Sequence, residues 1–312
     1  MTGNELIELF RRHGKRCHVI GNSDCGIIAG LDLEGRLYTL LDGRVVSRVN
    51  PAAVAGISTR RGYLNPGGDG LWPAPEGTAM GYQYATGSWR VPPGLTGARF
   101  LLTEDEPEHG VIEAEIDLIN ARGVGIPTLF RRDVTVVAGK TALTVKTVET
   151  IRYLGAKKLG RDEMLLAPWS LCQFDCGPGC ETVFPADGAD IWDLYEPGGE
   201  CRRVQGDMMH CRTDSSLRYQ IGIGRATPWI EFRRPADRLT VRRSALPLPP
   251  EQSYIDIADA PPEAFPANRD TRYSVYSDTG GFMEIEAVGG CPAVLEPEQE
   301  LSVAITTKYS KG

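Results

Sequence analysis

The sequence has few histidines, no long apolar run and no excess of basic residues. Only four of its 312 residues are histidine, and no segment approaches the roughly 18 to 20 apolar residues that a membrane helix requires. The net charge is −7 without a basic stripe, which argues against nucleic-acid and membrane partners. The first residues lack the apolar core of a signal peptide. We therefore expect a cytoplasmic protein with mostly reduced cysteines, whose partner is a small neutral or polar molecule.

Helical periodicity is confined to the first residues of the chain. Thr2 and Glu5 have the spacing of a capping box, and apolar residues follow at helical intervals as far as Gly14. Beyond that point the pattern is typical of strands separated by turns. Runs of this kind are Ile27 to Leu31, Arg36 to Leu41, Arg44 to Val49, Val111 to Leu118, Leu129 to Val137, Thr141 to Leu154 and Leu301 to Thr307. The sequence predicts one short leading helix and a large β-structure.

The segment LNPGGDGLWPAPEG, Leu64 to Gly77, is rich in glycine and proline and yet contains a tryptophan. Proline is unfavourable in helix interiors and in central strands, so the segment is predicted to be a rigid loop. A turn by itself does not need an aromatic side chain. Either Trp72 fills a hole in the core or the loop presents it to a ligand, and both interpretations stay open.

Four stretches of the chain together carry a resemblance to a known family. They are Cys25 to Leu31, Pro66 to Gly77, Arg131 to Gln173 with its paired long strands, and Phe282 to Leu301 with its glutamate-bearing strand. In this order they resemble the galactose mutarotase-like superfamily, which contains the aldose epimerases. Because they span nearly the whole chain, the resemblance implies a single all-β domain, a β-supersandwich over residues 16–312, preceded by a short helix within residues 1–15.

The resemblance also implies a glutamate base on the strand that begins at Phe282. Glu284 and Glu286 are two residues apart and would share one face of that strand, and the position in the motif favours Glu286. In mutarotation a base takes the proton of the anomeric hydroxyl while an acid protonates the ring oxygen. Active aldose epimerases carry two histidines in the site, whereas only His109 has a matching His-Gly context here. The candidate acids are His109, His210 and Tyr276, with packing or surface roles as the alternative.

Sugar recognition requires aromatic faces for the C–H patches of the ring and polar side chains for its hydroxyl groups. The candidates for substrate binding are Asp69, Trp72, Glu76, Trp169, Gln173, Tyr276 and Arg61. Arg61 would recognise a phosphate or carboxylate substituent, and a solvated pair with Arg60 is its alternative. Trp89, with Tyr82 and Tyr84 upstream, is a candidate wall of the same site. Packing is the alternative for the aromatic residues.

We expect neither a cofactor nor a metal. The alternative is a zinc site from residues that are near each other in sequence, Cys172, Cys176, Cys180, Cys201, His210 and Cys211. Their spacing lacks the Cys-x-x-Cys pattern, which favours unpaired structural thiols.

The function predicted first is a carbohydrate-active protein, an isomerase of the aldose 1-epimerase type that binds a monosaccharide or a sugar derivative. The missing histidine pair leaves open whether it is an enzyme, so a non-catalytic carbohydrate-binding protein on the same fold is the second hypothesis. A β-sandwich unrelated to sugars, with metal on its cysteines, is the third. The sequence leaves the sugar and the oligomeric state open.

Overall fold

The computed structural model describes residues 1–59, 62–83, 88, 90–139, 142–257, 260–264, 266 and 269–312. The chain begins with helix α1 (Gly3–Arg12), as the capping box predicts. The hydroxyl of Thr2 accepts a hydrogen bond from the backbone N–H of Glu5, and the Glu5 carboxylate accepts one from the N–H of Thr2. These bonds define where the helix starts. The other helical segments of the described ranges are α2 (Pro51–Ala55), α3 (Pro93–Thr96) and the 3-10 turns Gly199–Cys201 and Pro235–Asp237.

Most of the chain forms two large antiparallel sheets, and the strands are numbered in chain order. In the described residues the first sheet contains β1 (Cys17–Gly21), β2 (Gly26–Gly30), β3 (Arg36–Leu41), β4 (Arg44–Val45), β5 (Asp69–Ala74), β11 (Ala167–Asp175), β13 (Ile191–Tyr195), β16 (Tyr219–Ile223), β20 (Tyr273–Asp278) and β21 (Phe282–Val288). The second contains β6 (Leu101–Glu106), β7 (His109–Ile119), β8 (Gly125–Ala138), β9 (Ala142–Tyr153), β12 (Glu181–Pro185), β14 (Arg202–Gln205), β15 (Met208–Arg212), β17 (Ile230–Arg234), β18 (Leu239–Ala245) and β24 (Glu300–Lys311). Short pairs are formed by β10 (Leu159–Gly160) with β23 (Val294–Leu295) and by β19 (Gln252–Ser253) with β22 (Cys291–Pro292).

The spatial order of the strands brings distant parts of the sequence together. The first sheet runs β1-β2-β3-β5-β11-β21-β20-β16-β13, with β4 beside β3. The second runs β14-β15-β12-β17-β18-β24-β9-β8-β7-β6. Strands β5, β11 and β21 are therefore neighbours although long segments separate them in the chain.

The two sheets pack face to face, and the main hydrophobic core lies between them. Phe174 of β11 stacks on Phe232 of β17 across this interface, with 5.0 Å between the ring centroids. Helix α1 covers the opposite, outer face of the first sheet, where Leu6 and Phe10 are buried against Tyr38. The predicted all-β sandwich with a short N-terminal helix is confirmed.

Part of the glycine- and proline-rich segment is a strand, so the prediction of a loop throughout was wrong. Asp69–Ala74 forms β5, which lies between β3 and β11. Proline is tolerated here because Pro73 lies opposite Pro168 of β11, so neither strand has an N–H to offer at that position. On its other side β5 pairs with β3 only at Asp69, opposite Leu37, before the proline is reached.

Other strand predictions agree with the structure apart from their ends. The alternating run lies within β7, and the two long runs correspond to β8 and β9. The run that was predicted to reach Val49 is a strand only as far as Val45. The division into residues 1–15 and 16–312 stays a prediction. Within the described residues, no helix is long and apolar enough to cross a membrane.

Candidate functional site

A cavity of about 260 Å³ opens on the outer face of the first sheet, the face turned away from the second sheet. Strands β5, β11, β21, β20 and β16 supply most of its side chains. The cavity is lined by Tyr63, Asn65, Trp72, Glu76, Trp169, Leu171, Gln173, Arg218, Gln220, Tyr276, Phe282, Glu284 and Glu286. We call this cavity the candidate site.

The sheet register explains why these side chains meet. Residues opposite each other in neighbouring strands point to the same face, and side chains alternate along each strand. Trp72 of β5 lies opposite Trp169 of β11. Gln173 of β11 lies opposite Glu284, which in turn lies opposite Tyr276 of β20. One face of the sheet thus collects predicted site residues from four separate segments of the chain.

Two buried carboxyl groups, those of Glu284 and Glu286, lie in this site. Glu286 is fully buried and Glu284 is 8% exposed. The side-chain amide of Gln220 donates hydrogen bonds to Glu286 Oε2 and to Ser274 Oγ, each at 3.2 Å. Arg36 acts on Glu284 through its charge alone, without a hydrogen bond. Glu286 is therefore held by a neutral hydrogen-bonding group, and among the described residues neither glutamate forms an ion pair.

Burial raises the pKa of both glutamates. The pKa of Glu284 lies well above its usual range, because the negative charge of Glu286 adds to the effect of burial and Arg36 opposes it only in part. The pKa of Glu286 is raised by burial and lowered by hydrogen-bonding side chains, namely Glu284, Ser274 and Gln220. The surroundings therefore favour a proton on Glu284 and a negative charge on Glu286.

Three aromatic side chains, Tyr63, Trp72 and Trp169, stand beside the carboxyl pair as an aromatic wall. Trp72 and Trp169 meet edge to face, with 5.7 Å between ring centroids, and Tyr63 lies 6.2 Å from Trp72. The indole N–H of Trp169 is near enough to Glu286 to lower the pKa of that carboxyl group. Within the described residues, however, Trp169 Nε1 and Glu286 Oε1 have no hydrogen-bond partner.

Some buried polar atoms of the lining have no hydrogen-bond partner within the described part of the chain. They are Trp72 Nε1, Trp169 Nε1, Gln173 Oε1 and Glu286 Oε1. Such atoms are rare in folded proteins because an unmade hydrogen bond is costly. The site therefore offers both donors and acceptors to a polar ligand.

A buried arginine lies at the edge of the site. Arg36 is fully buried, donates to Glu34 Oε2 and to the hydroxyl of Tyr63, both at 2.9 Å, and lies 5.9 Å from the Trp72 ring centroid. It fits because Gly70 has no side chain, since a Cβ there would be 2.6 Å from Arg36 Nη1. The arginine thus places a positive charge behind the aromatic wall.

The entrance carries a second arginine, whose side chain is 44% exposed. Arg218 donates hydrogen bonds to the hydroxyl of Tyr276 and to Glu196 Oε1, both at 3.1 Å. The hydroxyl of Tyr276 also donates to Asp278, and its ring packs against Phe282 with 5.8 Å between centroids. These contacts fix Tyr276 at the entrance.

Asp69 points away from the site, so we do not retain it as a substrate contact. Its carboxylate accepts hydrogen bonds from Arg132 Nη2 at 2.6 Å and from Arg243 Nη1 at 2.8 Å, between the two sheets. Arg132 also binds Glu149 through two hydrogen bonds, of 2.6 and 2.9 Å. Asp69 and Trp72 are three residues apart on a strand, which places them on opposite faces.

The histidines are not part of the site, so we also remove His109 and His210 from the candidate acids. His109 Nε2 lies 2.9 Å from Asp133 on β8, and His210 Nδ1 lies 2.9 Å from Glu181 on β12. Both histidines belong to the second sheet. All four histidines are described and none of them lines the cavity.

The remaining candidates have mixed outcomes. Trp72, Glu76, Trp169, Gln173, Tyr276, Glu284 and Glu286 line the cavity, and their roles stay predictions. Arg61, Tyr84 and Trp89 lie outside the described residues, while Tyr82 is buried and donates to the carbonyl of Leu165. The eight cysteines are unpaired, and within the described ranges no cluster of metal-ligating side chains is placed to hold an ion.

Several residues of this site or its edge were not among the predicted site residues, notably Arg36, Tyr63, Arg218 and Gln220. Arg36 belongs to a strand whose residues are all buried, and a charged residue in such a run is a signal that burial must be compensated. Tyr63 directly precedes the Leu64 to Gly77 segment. Nothing local marks Arg218, because its role depends on the pairing of β16 with β20.

Comparison with solved structures identifies the fold. A proposed aldose 1-epimerase from Escherichia coli K12 has a TM-score of 0.58 and 9% identity, covering 96% of this chain and 100% of its own. A galactose mutarotase-like protein from Lactobacillus casei has a TM-score of 0.57 and 11% identity, covering 94% and 100%. One from Clostridium acetobutylicum has a TM-score of 0.55 and 9% identity, covering 96% of each chain. No family model and no curated protein matches the sequence.

The chain therefore has the galactose mutarotase-like fold, as the resemblance of its sequence predicted. The similarity extends over nearly the full length of each of these chains. At identities of 9 to 11% it concerns the fold alone.

Proposed function

We propose that the protein binds a monosaccharide or a sugar derivative in the candidate site and interconverts its anomers, with Glu286 as the base. The observation that carries this proposal is a buried glutamate with an unpartnered oxygen beside an aromatic wall in one cavity. The descriptions of the structural neighbours as aldose 1-epimerase and galactose mutarotase-like proteins are consistent with it.

The chemistry fits the groups that are present. A sugar ring would place its C–H face on Trp72 or Trp169, and its hydroxyl groups would meet Gln173 and Glu76. Glu286 would accept the proton of the anomeric hydroxyl while an acid protonates the ring oxygen, so that the ring opens, and both transfers would reverse when the ring closes on either face. Its raised pKa makes it a better proton acceptor than an ordinary glutamate once it is ionised.

The second candidate is carbohydrate binding without turnover. It is favoured by one observation, that no histidine lines the cavity. The aromatic wall and the unpartnered polar atoms would serve recognition equally well without any proton transfer. The cytoplasmic location stays a prediction for either function.

Exchange NMR and polarimetry on neutral, phosphorylated and acidic aldoses test the proposal. We expect a rate above the buffer rate for at least one sugar, and a fall of about 10² to 10⁴ in Glu286→Gln. Glu115→Gln, an exposed carboxylate on β7, is the matched control and should keep full activity. Calorimetric binding without any rate would favour the second candidate, and no affinity for any sugar would contradict both.

A further inference from the structure

Glu284 is a buried titratable group for which the chemistry above has no use. It lies on the same strand and the same face as Glu286, and both side chains line the cavity. Its partners in register are Gln173 on one side and Tyr276 on the other. Burying a second carboxyl group beside the first is unfavourable unless one of the two is neutral. The arrangement therefore calls for a function.

The two glutamates have different surroundings. Glu286 Oε2 accepts a hydrogen bond from Gln220, which stabilises a charged carboxylate. The two carboxyl groups lie two residues apart on one strand face, and burial together with the charge of Glu286 raises the pKa of Glu284, which favours a single negative charge on the pair. Gln220 assigns the charge to Glu286, and the proton therefore belongs to Glu284. The other charged or titratable groups that face the pair are Tyr63, Glu76, Arg218 and Tyr276 in the lining and Arg36 behind Gly70.

We propose that Glu284 is the proton donor of the reaction and that Glu284 and Glu286 act together as a carboxyl–carboxylate pair in place of a histidine. This inference rests on the proposed function. The supporting geometry is a shared strand face, a shared cavity and the hydrogen bond from Gln220 that distinguishes Glu286 from Glu284. The effect of burial on the pKa of Glu284 agrees with it.

The proton balance of the reaction closes on these two residues. Glu286 takes the proton of the anomeric hydroxyl, and the oxygen forms the carbonyl of the open chain. The bond between the anomeric carbon and the ring oxygen breaks, and its electron pair takes the proton of Glu284. After rotation of the aldehyde the steps reverse, so Glu284 regains its proton and Glu286 returns its own. The pair carries one proton and one negative charge before and after each half reaction.

Adjacent carboxyl groups suit this reaction because the two reacting oxygens are bonded to the same carbon atom. A donor and an acceptor on neighbouring positions of one strand face can reach both oxygens of one sugar. Tyr276 is the rival donor, since it lines the same cavity, and its hydroxyl donates to Asp278 in the free protein.

The first test is an infrared measurement on the full-length protein in the absence of sugar. At about pH 7, above the usual glutamate pKa near 4.3, the wild-type protein should show the carbonyl band of a protonated carboxyl group, which Glu284→Gln should lose. Glu115→Gln is the control and should keep the band. Absence of the difference between wild type and Glu284→Gln would overturn the proposal whether or not the protein is active.

The second test is the pH dependence of the exchange rate. The wild-type rate should fall at low pH, as Glu286 gains a proton, and at high pH, as Glu284 loses its own. Glu284→Gln should reduce the rate about 10² to 10⁴-fold and remove the alkaline fall, while sugar affinity changes by no more than about tenfold, as expected for one hydrogen bond.

The outcomes separate the two proposals. A wild-type protein without any rate overturns the proposed reaction and the donor role together. A wild-type rate that survives Glu284→Gln with both limbs of the pH profile intact overturns the donor role alone. If Tyr276→Phe loses the fall of the rate at high pH and Glu284→Gln keeps it, the proton donor is Tyr276 instead.

Discussion

Asp69 and Glu286 are both buried carboxylates of the first sheet, but they lie on opposite faces and have different partners. Between the sheets, Asp69 is bound by Arg132 and Arg243, and Arg132 also binds Glu149. The two guanidinium groups outweigh the effect of burial and lower the pKa of Asp69. On the outer face, Glu286 accepts a hydrogen bond from the amide of Gln220, Arg36 acts on its neighbour Glu284 through charge alone, and burial raises the pKa of Glu286.

The inner face of the first sheet carries charged groups that stabilise the fold, whereas its outer face carries groups suited to chemistry. The inner network has two positive and two negative groups, so its charges are balanced, and each of its carboxylates accepts hydrogen bonds from a guanidinium group. Balanced groups of this kind stabilise a fold, because they bind each other rather than a ligand. The outer pair is unbalanced, and this lack of compensation is typical of sites that transfer protons. The following predictions test this contrast.

The largest expected effect is in the inner network. Arg132→Met should destabilise the protein by about 3 to 5 kcal/mol, because it leaves the buried Glu149 carboxylate without its cation. The measurement is urea unfolding at neutral pH. Arg131→Met, at the next position of β8 with a side chain 34% exposed, is the control and should cost about 0 to 1 kcal/mol. Equal effects of the two variants would contradict the assigned role of the network.

The next effect is the pH dependence of stability on the outer face. The pKa of Glu284 is raised in the folded state, so the folded protein holds this proton at pH values where the unfolded chain has lost it. Below the usual glutamate pKa, Glu284 is protonated in both the folded and the unfolded chain, so its titration does not change the free energy of unfolding. As the pH rises, it should lower the free energy of unfolding by up to about 1.4 kcal/mol per pH unit, until the folded pKa is reached.

Glu284→Gln removes this dependence. Relative to wild type, the variant should therefore gain stability between about pH 5 and about pH 7, measured by urea unfolding at each pH. Glu115→Gln is exposed and should show no such gain. A stability difference that is constant with pH would show that Glu284 is ionised in the folded protein.

The sequence predicted the fold better than it predicted the site. Alternation of apolar and polar residues identifies strands such as β7, because burial of one face imposes a period of two. The same rule failed at β5, where Pro73 and Gly70 hide a strand that depends on its partner β11. Proline in that strand is tolerated only through the opposite Pro168, which no local pattern shows.

That one error accounts for the mistaken direction of Asp69. With β5 taken as a loop, Asp69, Trp72 and Glu76 were all expected to contact the substrate. Once β5 is a strand, the alternation of side chains sends Asp69 inward and Trp72 outward. The glutamates of β21 were placed correctly on one face because their strand was recognised. Arg36 and Arg218 depend on contacts between distant strands, which a local pattern does not contain.

The smallest expected effect is on the hydrogen bond that distinguishes Glu286 from Glu284. Gln220→Met removes the N–H donor at 3.2 Å from Glu286 Oε2 and should raise the pKa of Glu286, because the carboxylate loses a hydrogen bond worth about 1 kcal/mol. A carbon NMR titration of labelled glutamate side chains measures this without any need for activity. Gln205→Met, at an exposed position of β14, is the control and should leave the titration unchanged. If the pKa of Glu286 is unchanged in Gln220→Met, the hydrogen bond from Gln220 does not decide which of the two glutamates keeps the proton.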